Sequence, residues 1–243
     1  MYRITFVIDS LRDAVHRGEL NTEIVRILLG GLVQLDTNYL EAHPEVPLVR
    51  ESGIRVEERV PGQEDWQDIP SILERGVAER RDLACWQAAE ERAREKRVAF
   101  PVLRRWPTSS RITYCVNLFK RDQERELSHK ALTVLLRTLM AIDVLILRAN
   151  PTFPLLYQSG VRYEEEPVGQ EDWQDAPTTL RMGFGDCEDL ACWRAAELRV
   201  RYGIDAWPTF TYKVRNNGAY LYHITVRHPD GQSEDPSRQL GMR

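Results

Sequence analysis

The sequence predicts an α+β protein, with helices packed on antiparallel sheet, that contains one module twice. The main observation is an internal repeat: residues 62–92 align without a gap with residues 169–199 and are identical at 19 of 31 positions. Both copies show the same order of strand pattern, long apolar helix, irregular segment, second helix and strand. Only the second copy continues into a further alternating segment, so we expect it to be complete and the first copy to be truncated.

Each element follows from the spacing of apolar residues and from the residues that interrupt it. Matching strand patterns lie at 3–7 and 111–115, matching long helices at about 21–42 and 129–149, and matching second helices begin near 80 and 187. Pro44 and Pro151 follow the long helices as stop signals. The helix that begins near 187 is apolar on two sides, which predicts that it is buried.

The C-terminal part of the second copy predicts an antiparallel sheet. Strands are expected at 206–214 and 219–227, with turns at Asn216-Asn217-Gly218 and Pro229-Asp230-Gly231. The first copy has no counterpart to this sheet. We therefore predict a degenerate repeat over 1–105, a linker over 106–110 and a complete domain over 111–243.

Length, charge and hydropathy exclude several classes of protein. The 243 residues suit two compact domains of about 100–130 residues each. The net charge of −4 argues against a nucleic-acid partner. The sequence contains no apolar run close to the roughly 18–20 residues that cross a bilayer, so no membrane partner is expected. Residues 1–9 lack an apolar secretory segment, which predicts a protein without an export signal of its own.

The four cysteines predict neither a disulfide framework nor a metal site. Cys85 and Cys192 are equivalent in the repeat and lie in Ala-rich helices, so both are expected to be buried packing residues. Cys115 lies in a strand pattern, and reduced thiols fit an intracellular protein. Cys187 and Cys192 are five residues apart, so on a helix they point about 140° away from each other. We expect no metal and no cofactor.

Cys187 is the candidate nucleophile because the repeat changes there. The second copy has Gly185-Asp186-Cys187-Glu188 where the first has Ala78-Glu79-Arg80-Arg81. A helix N-terminus lowers the pKa of a thiol, but the neighbouring acids oppose this effect, so a histidine partner is required. His223 lies in the middle of the last long strand, whereas His228 adjoins a turn and is expected to be exposed.

The register of the predicted sheet selects Asp235 as the acid beside His223. If residue 228 opposes residue 232, Thr225 opposes Asp235, which places Asp235 on the face of His223 and turns Glu234 to the other face. The alternatives are that Cys187 is a buried small hydrophobe and that Asp235 only caps the turn that Pro236 begins. The acidic run Glu164-Glu165-Glu166 is expected to be a solvated face.

These motifs together resemble the transglutaminase-like (papain-like) cysteine hydrolase superfamily. They are Gly-Asp-Cys-Glu-Asp-Leu-Ala at 185–191, the strand histidine at 223 and Asp-Pro-Ser at 235–237. The tail from Glu234 to Met242 is similar to that of the short phage and prophage branch. The resemblance covers all of the second copy, and the first copy follows it without the active-site residues.

The resemblance implies a papain-like core in which Cys187 is the nucleophile, His223 the general base and acid, and Asp235 the residue that orients the histidine. The oxyanion hole would include the backbone N–H of Cys187. Trp173 and Gln170 are candidates for a further donor, but both recur in the first copy, at Trp66 and Gln63, which favours a structural role.

Two classes of function remain open from the sequence. In the first, the protein is a cysteine amidase or peptidase, or an acyl transferase, acting on a peptide or protein amide. In the second, it is a non-catalytic structural or assembly protein of a phage particle, with other phage structural proteins as partners. Either reading predicts a location in the host-cell cytoplasm or in the virion.

Overall fold

The predicted α+β class is confirmed by the computed structural model, which describes residues 2–11, 18–58, 64–101, 107, 109–116, 125–167, 171–214 and 220–243. Over these residues the α-helices are Glu19–Ala42 (α1), Ile69–Arg75 (α2), Arg80–Glu95 (α3), Arg125–Ala149 (α4), Ala176–Met182 (α5), Cys187–Tyr202 (α6) and Pro236–Gln239 (α7). The strands are Tyr2–Val7 (β1), Arg55–Val56 (β2), Asp65–Gln67 (β3), Val77–Ala78 (β4), Arg111–Val116 (β5), Arg162–Tyr163 (β6), Asp172–Gln174 (β7), Phe184–Gly185 (β8), Trp207–Val214 (β9), Tyr220–Arg227 (β10) and Ser233–Glu234 (β11).

The long helices and the starts of the second helices are confirmed, whereas the short helices α2 and α5 were not predicted. Both short helices lie in segments that were expected to be irregular. Asp68 caps α2 by accepting a hydrogen bond from the Ser71 N–H at 2.9 Å, and Asp175 caps α5 in the same way from Thr178 at 2.9 Å. A proline follows in the first turn of each helix, and a glycine with positive φ ends it.

Several predicted elements fall wholly or partly outside the described residues. These are the turn at 216–218 and part of the linker, of which Trp106 and Thr108 are not described. In the first copy, residues 96–101 form no strand, and residues 102–106 lie outside the described ranges. None of the helices that the structure describes is long and apolar enough to span a membrane.

The chain forms two compact units. Unit 1 comprises Met1–Phe6 and Leu11–Leu135, and unit 2 comprises Val7–Ser10 and Leu136–Arg243. In unit 1, helix α3 packs on α1, and β5 lies between β3 and β1. The rings of Phe6, Trp66 and Tyr114 form the aromatic centre of its core. Cys85 and Cys115 are buried in this unit and Cys192 in unit 2, as free thiols.

In unit 2, α6 packs on β9 and β10 of an antiparallel sheet with the order β11-β10-β9. Both apolar sides of α6 are buried, as predicted, and Trp193 and Cys192 are fully inaccessible. Ile224 and Val226 of β10 are buried beneath the helix, because strand alternation directs them to the core face. This packing brings the first turn of α6 beside β10.

The strand ends in each unit come from the other copy of the repeat. In unit 1, the Asp68 N–H and the Ser71 hydroxyl donate to the carbonyl of Cys115, at 3.2 and 2.9 Å. In unit 2, the equivalent groups of Asp175 and Thr178 donate to the carbonyl of Val7, at 3.2 and 3.0 Å. Residues 7–10 of the first copy are therefore built into unit 2, and β5 of the second copy is built into unit 1.

Candidate active site

Cys187 is the first residue of α6, and its backbone position is fixed by a capping box. The Asp186 side chain accepts from the third helical N–H, and Asp189 accepts from the Asp186 N–H at 3.3 Å. The strand β8 reaches this helix through Gly185. A Cβ atom added to Gly185 would lie 2.9 Å from Cγ2 of Thr179 and 3.1 Å from Asp189, so the close approach requires glycine.

The Cys187 thiol is hydrogen-bonded to an acid. Its Sγ donates to Oε2 of Glu188 at 3.2 Å. Burial raises the pKa of Cys187 well above its usual value, the carboxylates of Glu188 and Asp186 raise it further, and a hydrogen bond with the Ile224 backbone opposes them. The thiol is therefore protonated near neutral pH.

His223 and Asp235 form a close pair in the predicted register. Residue 226 of β10 opposes residue 234 of β11, and the His228 N–H donates to the Gln232 carbonyl, so the predicted pairing is confirmed. His223 Nε2 lies 2.9 Å from Oδ2 of Asp235. Asp235 also caps α7 through Oδ1, which accepts from the Arg238 N–H at 3.1 Å. The carboxylate thus makes both of the contacts that the sequence left as alternatives.

The candidate residues therefore converge on one strand but do not form a continuous chain of hydrogen bonds. The thiol lies against the backbone of Ile224, the residue that follows His223. Among the hydrogen bonds of the described residues, none joins the Cys187 thiol to the His223 ring; the thiol bonds Glu188 and the ring bonds Asp235. The thiol thus lies beside the backbone of the residue that follows the base, and its proton is held by a different carboxylate from the one that bonds the base.

A cluster of carboxyl groups around the thiol was not predicted from the sequence. We call it the acidic cluster, and its members are Glu166, Glu171, Asp186, Glu188 and Asp189. Burial, together with the charge of Glu188, raises the pKa of Glu166 and of Glu171 to about 7. Burial followed by the charge of Glu188 also raises the pKa of Asp186 and of Asp189 well above its usual value. Glu188 is thus a common neighbour of the other four.

The expected solvated face at 164–166 is wrong for its last residue. Glu164 and Glu165 are exposed, but the Glu166 carboxylate turns inward and accepts the Asp172 N–H at 3.0 and 3.1 Å. The sequence did contain a signal for the cluster, since the first copy has Arg59 and Arg81 where the second copy has Glu166 and Glu188.

His228 is also less exposed than predicted. Its Nε2 lies 3.0 Å from Oε2 of Glu234, whose Oε1 accepts from Arg194 at 2.7 Å and from the Tyr157 hydroxyl. Glu234 faces away from His223, as the register predicts. His228 and Glu234 therefore form a second histidine–carboxylate pair, but Arg194 and Tyr157 also donate hydrogen bonds to its carboxylate.

The remaining candidates for the oxyanion hole differ in what the structure describes. Trp173 is buried, with 3% of its surface exposed, whereas Gln170 and its equivalent Gln63 lie outside the described residues. Within the described part of the chain, no group of three or more His, Cys, Asp and Glu residues is arranged to hold a metal ion.

Comparisons of the chain with protein-family models, with curated proteins and with solved structures find no match.

Proposed function

We propose that the protein is a cysteine-dependent amide hydrolase or acyl transferase of the transglutaminase-like kind, encoded by a phage or prophage. Cys187 is the nucleophile, His223 the general base and acid, and Asp235 the residue that positions the imidazole. The observation that carries the proposal is the His223–Asp235 pair at 2.9 Å, on the strand against which the first turn of α6 presents a thiol. A thiol, an imidazole and a carboxylate in this order are the groups that nucleophilic catalysis requires.

The proposed reaction begins with transfer of the thiol proton of Cys187 to His223. The thiolate attacks the amide carbonyl, and the backbone N–H of Cys187 donates to the developing oxyanion. The imidazolium then protonates the leaving nitrogen as the C–N bond breaks, which leaves an acyl thioester on Cys187. Water, or an amine in the transferase reaction, gives a proton to His223 and displaces the thiolate.

We further propose that the two copies are modules of one kind and that the first serves as a scaffold. The first copy has Arg80 at the position of Cys187, and its α3 retains the same capping box, between Glu79 and Asp82. Its sequence has no counterpart to β10 and β11, which carry His223 and lead to Asp235. The arginine is thus part of the loss of the whole site.

The second candidate is a non-catalytic structural or assembly protein of a phage particle, which interacts with other phage structural proteins. The specific observation in its favour is the hydrogen bond from the Cys187 thiol to Glu188 in an environment that raises the thiol pKa. A nucleophilic cysteine needs the opposite shift.

Alkylation with iodoacetamide separates the two candidates. We expect Cys187 to be labelled in the native protein, and His223→Asn to reduce its rate near neutral pH by about tenfold or more, because the general base is lost. The rate at each cysteine is measured by peptide mass spectrometry. The buried thiols of Cys85, Cys115 and Cys192 serve as internal controls in the same sample.

His228→Asn is the matched control, since it removes a second half-buried histidine from a carboxylate partner at a similar distance. It should leave the labelling of Cys187 unchanged. If His223→Asn is labelled as fast as the wild type, His223 does not activate the thiol, and the structural candidate is preferred.

A further inference from the structure

The acidic cluster of unit 2 has a counterpart in unit 1 that is filled by an arginine. Arg81 is almost buried there, with 10% of its side chain exposed. Its guanidinium lies 3.5 Å from Glu64, 3.2 Å from Glu79 and 3.0 Å from Asp82. It also donates to the Asp65 carbonyl at 2.8 Å and lies 4.9 Å above the ring of Trp66. Unit 1 thus shows which ligand this arrangement of acids and tryptophan holds.

The second copy keeps the groups that surround this guanidinium. Glu64, Glu79 and Asp82 correspond to Glu171, Asp186 and Asp189, and Trp66 corresponds to Trp173. The local frame is also the same, because each copy forms a capping box at the start of the helix. In unit 1 the Trp66 indole donates to Glu64 at 3.4 Å, and in unit 2 the Trp173 indole opposes the rise in the pKa of Glu171.

Among the residues that the structure describes, the second copy has no cation in this arrangement. Glu188 replaces Arg81, and Glu166 replaces Arg59. Among the salt bridges of the described residues, none involves a member of the acidic cluster. Oδ1 of Asp186 is buried and has no hydrogen-bond partner. Glu188 and Asp189 are buried, Glu166 and Asp186 are half-buried and Glu171 is exposed. Carboxylates buried without a cation are costly, so an arrangement that keeps these acids and removes the arginine favours a cation from outside.

We propose that the acidic cluster binds the guanidinium group of an arginine residue in the substrate, in the position that Arg81 occupies in unit 1. This inference rests on the proposed function, since it names the substrate class of the same site. A guanidinium fits because its planar fork donates to several carboxylates at once and stacks on an indole, as Arg81 does. Glu188 lies 3.2 Å from the Cys187 sulfur, so the bound arginine lies at or next to the residue whose amide is cleaved.

The proposed ligand also changes the nucleophile. A guanidinium in the cluster neutralises the carboxylates that oppose ionisation of the thiol and engages the oxygen that now accepts the thiol proton. Binding of the correct substrate would therefore release the thiol proton towards His223. Such coupling makes the nucleophile reactive only when an arginine-containing chain is in place.

The test measures binding in the absence of chemistry. Capped Gly-Arg-Gly is titrated calorimetrically into the full chain carrying Cys187→Ala, in parallel with the citrulline peptide, which is a neutral isostere, with the lysine peptide and with CaCl2. We expect the arginine peptide to bind at least about tenfold more tightly than the citrulline peptide, and more tightly than the lysine peptide. Equal affinity for arginine and citrulline overturns the proposal. Equal affinity for arginine and lysine, or displacement of the arginine peptide by Ca2+ at millimolar concentration, overturns the assignment to a guanidinium.

Glu188→Arg, added to the Cys187→Ala chain, restores the residue of the first copy. Its own guanidinium should occupy the acidic cluster and abolish binding of the arginine peptide. Glu165→Arg is the matched control: it makes the same change of charge at an exposed neighbour and should leave the affinity within about twofold. Glu188→Gln is the second variant in case Glu188→Arg does not fold, and it should weaken binding about tenfold. If neither variant weakens binding, the site lies elsewhere and the proposal fails.

Failure of this inference and failure of the proposed function give different results. If Glu188→Arg abolishes arginine binding but His223→Asn does not change the labelling of Cys187, the binding site is supported and the catalytic triad is rejected. If His223→Asn slows the labelling of Cys187 but the arginine and citrulline peptides bind equally well, the triad is supported and the arginine site is rejected.

Discussion

The charge state of Cys187 depends on a competition between the helix terminus and the neighbouring carboxylates. A helix N-terminus contributes up to about 2 kcal/mol in favour of an anion in a partly buried site. A single carboxylate about 4 Å from a thiolate opposes it by about 4 kcal/mol at an effective dielectric constant of 20. Glu188 is at hydrogen-bond distance from the sulfur, and Asp186 adds to its effect. The effect of the carboxylates therefore exceeds that of the helix terminus, and the thiol keeps its proton.

Replacing Glu188 with glutamine should make Cys187 more reactive in the absence of substrate. The substitution keeps the size of the side chain and removes the nearest negative charge, so the pKa of the thiol falls. At pH values below that pKa, the thiolate fraction and the iodoacetamide rate should rise on the order of tenfold per unit of pKa shift. The pH profile of Cys187 labelling should move to lower pH. Glu165→Gln, at an exposed position, is the control and should leave the pH profile unchanged. If the profile is also unchanged in Glu188→Gln, Glu188 does not control the pKa of the thiol.

The sequence predicted His223 and Asp235 for a different reason than it missed Glu166. A short antiparallel connection fixes which residues oppose each other, so the register followed from the turn at 229–231 and placed Asp235 beside His223. The burial of Glu166 depends on the position of the Asp172 backbone, which no local pattern specifies. Side-chain identity was visible in the repeat at 166 and 188, but the missing cation becomes evident only when the contacts of Arg81 are known.

The elements of unit 2 hold the active-site helix through its first turn. Asp189 Oδ1 accepts the Gln174 N–H of β7 at 2.7 Å, and its Oδ2 accepts the Asp186 N–H at 3.3 Å. Apolar periodicity predicted α6 because it extends over 16 residues. The same signal fails for α5, which has only 7 residues and gains its stability from Asp175 and from tertiary contacts. The acidic cap followed by proline, with glycine at the end, was the signal available in the sequence.

The junction of β8 with α6 should not tolerate a side chain. Gly185→Ala would place a Cβ 3.1 Å from Asp189 and 2.9 Å from Thr179, so Asp189 or the strand must shift. We expect the free energy of unfolding to fall by about 1–3 kcal/mol, as for other overpacked sites. Urea unfolding monitored by circular dichroism measures it. Ala78→Gly is the reverse change at the equivalent position of unit 1; it should cost about 0.5–1 kcal/mol through chain flexibility, to which the loss of a buried methyl group adds. Unchanged stability of Gly185→Ala would mean that β8 and α6 can separate without loss.

At the scale of the whole molecule, the order of the chain and the composition of the compact units differ. The repeat in the sequence predicts domains over 1–105 and 111–243, and nothing in local periodicity indicates that residues of one copy are built into the unit of the other. Unit 1 nevertheless includes β5, and unit 2 includes Val7–Ser10. Both copies carry the same strand pattern, and the end of each strand meets the cap of the other copy: the Cys115 carbonyl accepts from Asp68, and the Val7 carbonyl accepts from Asp175.

The inclusion of Val7–Ser10 in unit 2 predicts that the second copy alone is incomplete. A fragment of residues 111–243 lacks the Val7 carbonyl that accepts from Asp175 and Thr178, and it lacks Asp9, which pairs with Arg181. Each lost hydrogen bond contributes about 0.5–1.5 kcal/mol, so the fragment should unfold at clearly lower urea concentration than unit 2 of the full chain. A peptide of residues 1–11 should restore the stability when added in trans, and the same peptide with Asp9→Ala should restore less of it.

A fragment that is as stable as the full chain and is not stabilised by the peptide would show instead that 111–243 is an independent domain. In that case the site at Cys187 would not depend on the first copy, and the scaffold role proposed for it would be wrong.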